Sequence, residues 1–243
     1  MRKSTQELLE QLKKYPVFDL TKVARNVKTE EIYLKLLVHR LARKKVIQSI
    51  ERNKYTMYKD PWVVASHLIW PSYISSWAAL RYHNLTEQLP GTIEVVTSKK
   101  RRKRELSFQG MKIKFIITKP RLVFGFAKIL SEEREIFVAE PEKALLDAAL
   151  FKSMSFSEIS EIVISNLPRL QKEKLIAYLI KVGNKSLIKR FGFVLDYAGK
   201  DYYGRLQKYV DHNYIALDYS LPRTGKKNIK WKVIDNVAKR RIS

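Results

Sequence analysis

Within its first sixty residues the chain sets three short helical stretches in front of two β-rich runs. That order limits the possible fold more than any other feature of the sequence. Leu8, Leu9 and Leu12 recur at helical spacing behind Ser4 and Glu7, a serine and a glutamate three apart as in a capping box. Asp19 stands where it can cap a second helix, "LTKVARNV", and Thr29 where it can cap a third that runs to about Lys45. The next stretch, "VIQSIERNKYTMY", divides into two short β-rich runs around Arg52-Asn53, residue types suited to a tight turn. Three helices and a hairpin joined by short connections form the pattern of a winged helix-turn-helix, here over residues 1–59.

The third helix has two chemically different faces. At about 100° per residue, Leu34, Leu37, Val38 and Leu41 share one side, and Ile32, Lys35, His39 and Arg43 share the other. A Lys-His-Arg stripe stepping by four can reach phosphates and base edges when its helix lies in a major groove. The plainer reading of such a stripe is a solvated helix face. Lys28 and Thr29 at the start of the helix complete the candidate DNA-binding set here, with Arg52 and Lys54 on the hairpin placed to touch flanking backbone.

Charge strengthens the DNA reading. The 243 residues hold 48 Lys and Arg against 24 Asp and Glu, a formal net charge of +24, while 45% of the chain is hydrophobic. Such an excess destabilises a compact state by self-repulsion, and a polyanionic partner is the simplest reason to retain it. Nucleic acid is the first candidate and an anionic membrane surface the second. Cysteine is absent, which excludes disulfides and thiolate chemistry and fits a cytoplasmic protein. The opening "MRKSTQELLEQLKK" lacks an apolar signal core, and no apolar run approaches the roughly 20 residues needed to span a bilayer, so no membrane association is expected.

The charge is unevenly spread. Residues 1–59 carry 15 basic and 6 acidic side chains, residues 60–151 carry 14 and 10, and residues 152–243 carry 19 and 8. In the middle segment six of the basic residues are consecutive: Lys99, Lys100, Arg101, Arg102, Lys103 and Arg104. Without them the segment is slightly acidic. The run lies between "TIEVVT" and "ELSF", both β-like, and reads as the tip of a basic hairpin. A solvated loop is the bland interpretation. An electrostatic clamp on DNA beside the winged helix is the sharper one, because phosphates between the cations relieve their repulsion. On that reading all six are expendable to the fold.

The remaining elements are predicted as follows. In the middle region, residues 60–151, "PWVVASHLIWPSYISSWAALRYHN" reads as two helices with a turn at Trp70-Pro71. Strands follow at Thr92–Thr97 and over the alternating Met111, Ile113, Phe115 and Ile117, with Lys112 and Lys114 on the other face. "EIFVA" is another strand, and "EPEKALLDAALF" a helix with Pro141 at its first position. In residues 152–243, helices at about Ser157–Leu167, Pro168–Val182 and Lys185–Tyr197 stop at Gly183 and Gly199. Two strands joined by a basic loop then close the chain ahead of the basic tail "AKRRIS". The fold class is therefore α+β: an N-terminal winged helix followed by a mixed α/β region.

Enzymatic signatures are missing. No Asp or Glu is followed two residues later by Lys, as one common nuclease core needs. The eight glycines form no phosphate-cradling run, and His39, His67, His83 and His212 lack metal-ligand spacing. Glu140, Glu142 and Asp147 are explained better by a helix start than by a metal. No catalytic residue, metal or cofactor is expected. Thirteen tyrosines leave an RNA-binding module open as an alternative, although most fall within amphipathic patterns.

A series of segments, in order along nearly the whole chain, resembles the AbiEi-type antitoxin family, transcriptional regulators of phage-defence loci. These are "NKYTMY", "YISSWAALRYHNLTEQLP", "IEVVTSKKRRKRE" with "GMKIKF", "VAEPEKALLDAAL", "IKRFGFVLDYAG" and "LDYSLPRTGKKNIKWKVIDN". The resemblance implies a winged helix that binds inverted repeats of double-stranded DNA in its own promoter. It also implies a C-terminal region that counteracts a nucleotidyltransferase-like toxin, ordinarily without a stable complex. The alternative is a solitary regulator with no toxin beside it.

Overall fold

A computed structural model describes residues 5–27, 30–131 and 134–237. It is a mixed α+β structure with several sheets. Ser4, Lys28, Thr29 and the tail "AKRRIS" lie outside the described residues. Two compact units divide the chain. The first comprises residues up to 74, 91–120 and 128–137, and the second residues 75–90, 121–127 and 138 onward. The boundaries therefore differ from the three consecutive segments expected, because strands far apart in the sequence join one sheet.

The first unit begins with helix α1 (Thr5–Lys13), strand β1 (Phe18–Asp19), helices α2 (Leu20–Val27) and α3 (Glu31–Arg43), and strands β2 (Gln48–Glu51) and β3 (Lys54–Thr56). Asp19 caps α2 as expected, accepting from the Thr21 amide at 3.0 Å. Around Arg52 and Asn53 the chain turns between β2 and β3, with Asn53 at φ 62°. The three strands form an antiparallel sheet in the order β1-β3-β2. Beneath it Leu12, Phe18, Leu20, Val23 and Ile47 meet Leu34, Leu37, Val38 and Leu41 of α3 in one apolar core. The predicted inward face of α3 is thus the buried one.

Helix α4 (Pro61–His67) follows, capped by Asp60, whose carboxylate accepts from the Trp62 amide at 2.8 Å. Strands β4 (Ser72–Ser75), β5 (Thr92–Thr97), β6 (Glu105–Phe108), β7 (Met111–Ile117), β8 (Phe126–Ser131) and β9 (Arg134–Ala139) form a six-stranded sheet, ordered β6-β7-β5-β4-β9-β8. "SYIS" is a strand and not part of a helix, with all four residues buried. Strand β5 runs parallel to β7 over six residue pairs, Thr92↔Lys112 to Thr97↔Ile117, while β6 is antiparallel to β7.

That topology corrects the basic hairpin. β7 lies between β5 and β6, so Lys99–Arg104 crosses over the end of β7 to reach the sheet edge. The tight hairpin is β6–β7, turning at Gln109-Gly110, both with positive φ (49° and 76°). The physical reason is burial. β5 is covered on both faces and pairs with the long apolar β7, whereas β6 exposes Glu105 and Ser107 and suits an edge.

The second unit is mainly helical: α5 (Ser76–Tyr82), α6 (Pro141–Leu150), α7 (Phe156–Ser165), α8 (Lys172–Val182), α9 (Lys185–Tyr197) and α10 (Tyr203–Leu206). Pro141 starts α6, and Gly183 ends α8 in the left-handed conformation at φ 68°. Strands β10 (Ile215–Ala216), β11 (Lys226–Asn228) and β12 (Val233–Asp235) form a small sheet ordered β10-β12-β11. Trp231, fully buried, lies flat against α9 at Gly192, where a methyl group would overlap the indole. Lys143 and Asp147, one turn apart on α6, form an ion pair with both side chains inside, and Asp147 also accepts from the Ser75 hydroxyl at 2.8 Å.

Candidate nucleic-acid interface

The candidate surface is built from α3, the β2–β3 hairpin and the β5–β6 crossover, all within the first unit. On α3 the leucines that face the core leave Lys35, His39 and Arg43 exposed, as the periodicity requires. Arg40 joins them. Two apolar side chains share this outer surface, Ile32 at 72% and Leu36 at 55% exposure. Leu36 and Arg40 were not singled out by the sequence, although each lies one turn from a residue that was. A helix presenting cations with apolar side chains between them can meet phosphates, base edges and thymine methyl groups.

The hairpin is fixed at its turn, where the Asn53 amide donates to Thr21 Oγ1 on α2 at 3.4 Å. Arg52 is exposed beside it. Lys54 is used differently from expectation. Its ammonium lies 3.0 Å from Glu51 Oε1 and donates to the Leu68 carbonyl at 2.9 Å. A cation held by a carboxylate and a carbonyl of its own fold is not presented to a phosphate, so Lys54 leaves the set of outward charges.

The crossover departs furthest from six free charges. Arg101 turns back to the hairpin, and both terminal guanidinium nitrogens pair with the Glu51 carboxylate, one at 3.2 Å. Its side chain is 7% exposed, and its guanidinium sits 4.0 Å over the Phe115 ring. Both ends of the run are tied to the sheet. The Lys99 amide donates to Thr97 Oγ1 at 3.1 Å, and the Phe115 amide donates to the Arg104 carbonyl at 2.7 Å. Gln109 of the β6–β7 turn adds a second link, donating to Gln48 of β2 at 2.7 Å. Lys99, Lys100, Arg102, Lys103 and Arg104 remain exposed. Arg101 is therefore the clasp that holds the other five beside the hairpin, and it is not expendable. Glu51 carried one signal for this role, as the only acid between Glu31 and Asp60.

Burial pushes the Glu51 carboxyl up, but hydrogen bonds from Arg101 and Lys54 outweigh it and hold the group below its ordinary value. A carboxylate lowered on folding stabilises fully above its unfolded pKa and loses that contribution as pH falls through the lowered folded value. Arg101→Ala is expected to cost about 1.5–3 kcal/mol near neutral pH, the range for a hydrogen bond to a charged group. The gap between Glu51→Gln and the parent protein should close on acidification below the ordinary carboxylate range. Thermal unfolding of the three proteins across pH checks both; a pH-independent gap would exclude the carboxylate as its source.

Glu140, Glu142 and Asp147 have separate partners within the fold. Glu140 accepts from Tyr178 and Lys174, Glu142 accepts from the Gln171 amide, and Asp147 is paired inside α6. Among the described residues no helix is long and apolar enough to cross a membrane. No protein-family model matches the chain, and no curated protein sequence does.

Proposed function

We propose that this protein is a transcriptional regulator that binds duplex DNA through a winged helix formed by its first sixty residues. The observation that carries the reading is α3, whose leucines are committed to the core while Lys35, His39, Arg40 and Arg43 stand outward. The element order around it supports the reading: α1-β1-α2-α3-β2-β3, with β1 completing a three-stranded sheet. On this reading α3 enters the major groove, Arg52 touches flanking backbone, and the clasped crossover holds a further stretch of phosphates. The chemistry is binding alone, with no catalytic group. Autorepression, and action as the antitoxin to a nucleotidyltransferase-like toxin, rest on the resemblance in the sequence. Coexpression with the neighbouring gene product tests that part directly.

The DNA reading is tested by titrating duplex from upstream of the protein's own gene against random duplex. Lys35→Ala or His39→Ala should reduce discrimination between the two by about 1–3 kcal/mol if the residue meets a base edge. Leu37→Ala should instead lower stability by about 2–5 kcal/mol. Equal weakening on both duplexes would assign Lys35 to phosphate alone. Parent protein that ignores both duplexes would sink the reading.

A further inference from the structure

The second unit gathers cations around one tyrosine. Tyr214 lies just before β10, and the ammonium groups of Lys227 on β11 and Lys232 before β12 each sit 5.4 Å from its ring centroid. Arg223 donates to the Tyr214 carbonyl. Lys226 precedes Lys227 on the same edge strand and so points to its other face, opposite Asp235, and Arg223, Lys226 and Lys227 are all exposed. The backbone turn that brings them together needs Gly225, at φ 154°, because a side chain there would overlap the Asp235 carbonyl.

Neighbouring cations show the contrast. Lys230 is neutralised by Asp196 at 2.8 Å and Asp201 at 3.1 Å, and Lys189 by Asp211. Arg223, Lys226, Lys227 and Lys232 make no such ion pair among the described residues; the nearest acid in the sheet register is Asp235, opposite Lys226. Three like charges, Arg223, Lys227 and Lys232, collect around one tyrosine and repel, with Lys226 a fourth on the other face of the edge strand. The ring offsets part of that cost by attracting two of them, and it orders two flexible side chains before any ligand arrives.

We infer that Tyr214, Arg223, Lys226, Lys227 and Lys232 form a binding surface for single-stranded nucleic acid, separate from the duplex reader of the first unit. A base stacked on the Tyr214 ring takes the place of one ammonium and passes it to the adjoining phosphate, while Arg223 and Lys226 meet the next phosphates along the strand. The stacking half of this exchange needs an unpaired base, because a duplex buries its base faces. Cations interleaved with an aromatic ring suit a single strand of any sequence.

The test uses the full chain and a fluorescein-labelled oligouridylate of about a dozen nucleotides, followed by anisotropy near physiological salt. The fourfold variant R223S/K226S/K227S/K232S should weaken binding about tenfold or more. A charge-matched control, K14S/K59S/K119S/K200S, drawn from exposed lysines outside both surfaces, should weaken it less than about threefold. Tyr214→Leu, which keeps every charge, should weaken it about fivefold, within the range for loss of one base–aromatic stack. Equal losses in the two fourfold variants would reduce the effect to net charge and overturn the proposal. So would absence of oligouridylate binding by the parent protein, or equal dependence of random duplex on the C-terminal cluster. If Tyr214→Leu does not fold, the two fourfold variants decide. Because the probe is single-stranded, the result stands apart from the duplex reading, which α3 variants test.

Discussion

Asp147→Ala is expected to destabilise the second unit by about 3–5 kcal/mol, the usual cost of removing one partner from a buried ion pair. Lys143 and Asp147 have side-chain exposures of 0% and 1%, so water cannot replace the lost partner. The substitution also removes the acceptor of the Ser75 hydroxyl. Burial already holds the Lys143 amine below its ordinary value, with Asp147 opposing the shift. Without that carboxylate the shift deepens. A lysine depressed on folding favours the folded state most above its unfolded pKa, and the advantage is lost as pH falls through the folded value. The variant should therefore recover stability as pH rises from neutral toward the ordinary lysine range. Replacing both residues together, Lys143→Met with Asp147→Leu, should restore much of the loss. Urea unfolding followed at several pH values measures all three effects, and a single variant as stable as the parent would show that the pair is not the buried anchor of α6.

The second large effect is electrostatic. The fivefold variant K99S/K100S/R102S/K103S/R104S retains Arg101 and so retains the clasp on Glu51. Each phosphate contact contributes about 0.9 to the slope of log affinity against log salt, so losing five should make the slope shallower by up to about 4.5 units. Affinity for specific and random duplex should fall together, on the order of a hundredfold at low salt, with base preference intact. Extending the change to Arg101→Ser should add a loss of thermal stability that the fivefold variant lacks. An unchanged slope in the fivefold variant would remove the crossover from the proposed DNA interface and leave α3 and Arg52 as its candidates.

Local chemistry was legible in the sequence where neighbours along the chain decide the outcome. The leucine spacing of α3, the Arg52-Asn53 turn, Pro141 at a helix start and Gly183 at a helix end all depend on residues within one or two turns. Long-range pairing was not. "SYIS" does not alternate, because a strand buried on both faces has no solvent side, and it therefore merged with the helices around it. β1 is too short to show any period. The run Lys99–Arg104 was placed between the right strands, but consecutive strands need not pair, and β7 came between them. The roles of Arg101 and Lys54 turned on Glu51, whose isolation among cations shows in the sequence but whose pairing with Arg101 does not, because only the fold brings the crossover against the hairpin. Candidate contacts were thus readable as a set of cations, and the fold then divided that set into cations it uses and cations it exposes.

The place of β4 in the six-stranded sheet has a consequence for how the chain is made. Its neighbours are β5, which follows soon after it, and β9 (Arg134–Ala139), which emerges from the ribosome much later. Until β9 arrives, Ser72–Ser75 must wait with one edge unpaired, and β5 to β7 form only a partial sheet whose apolar residues remain open to other chains. Late closure of this kind slows folding and exposes nascent chains to aggregation. Yield during synthesis should therefore respond more to slower translation or chaperone supply than the stability of the finished protein would suggest.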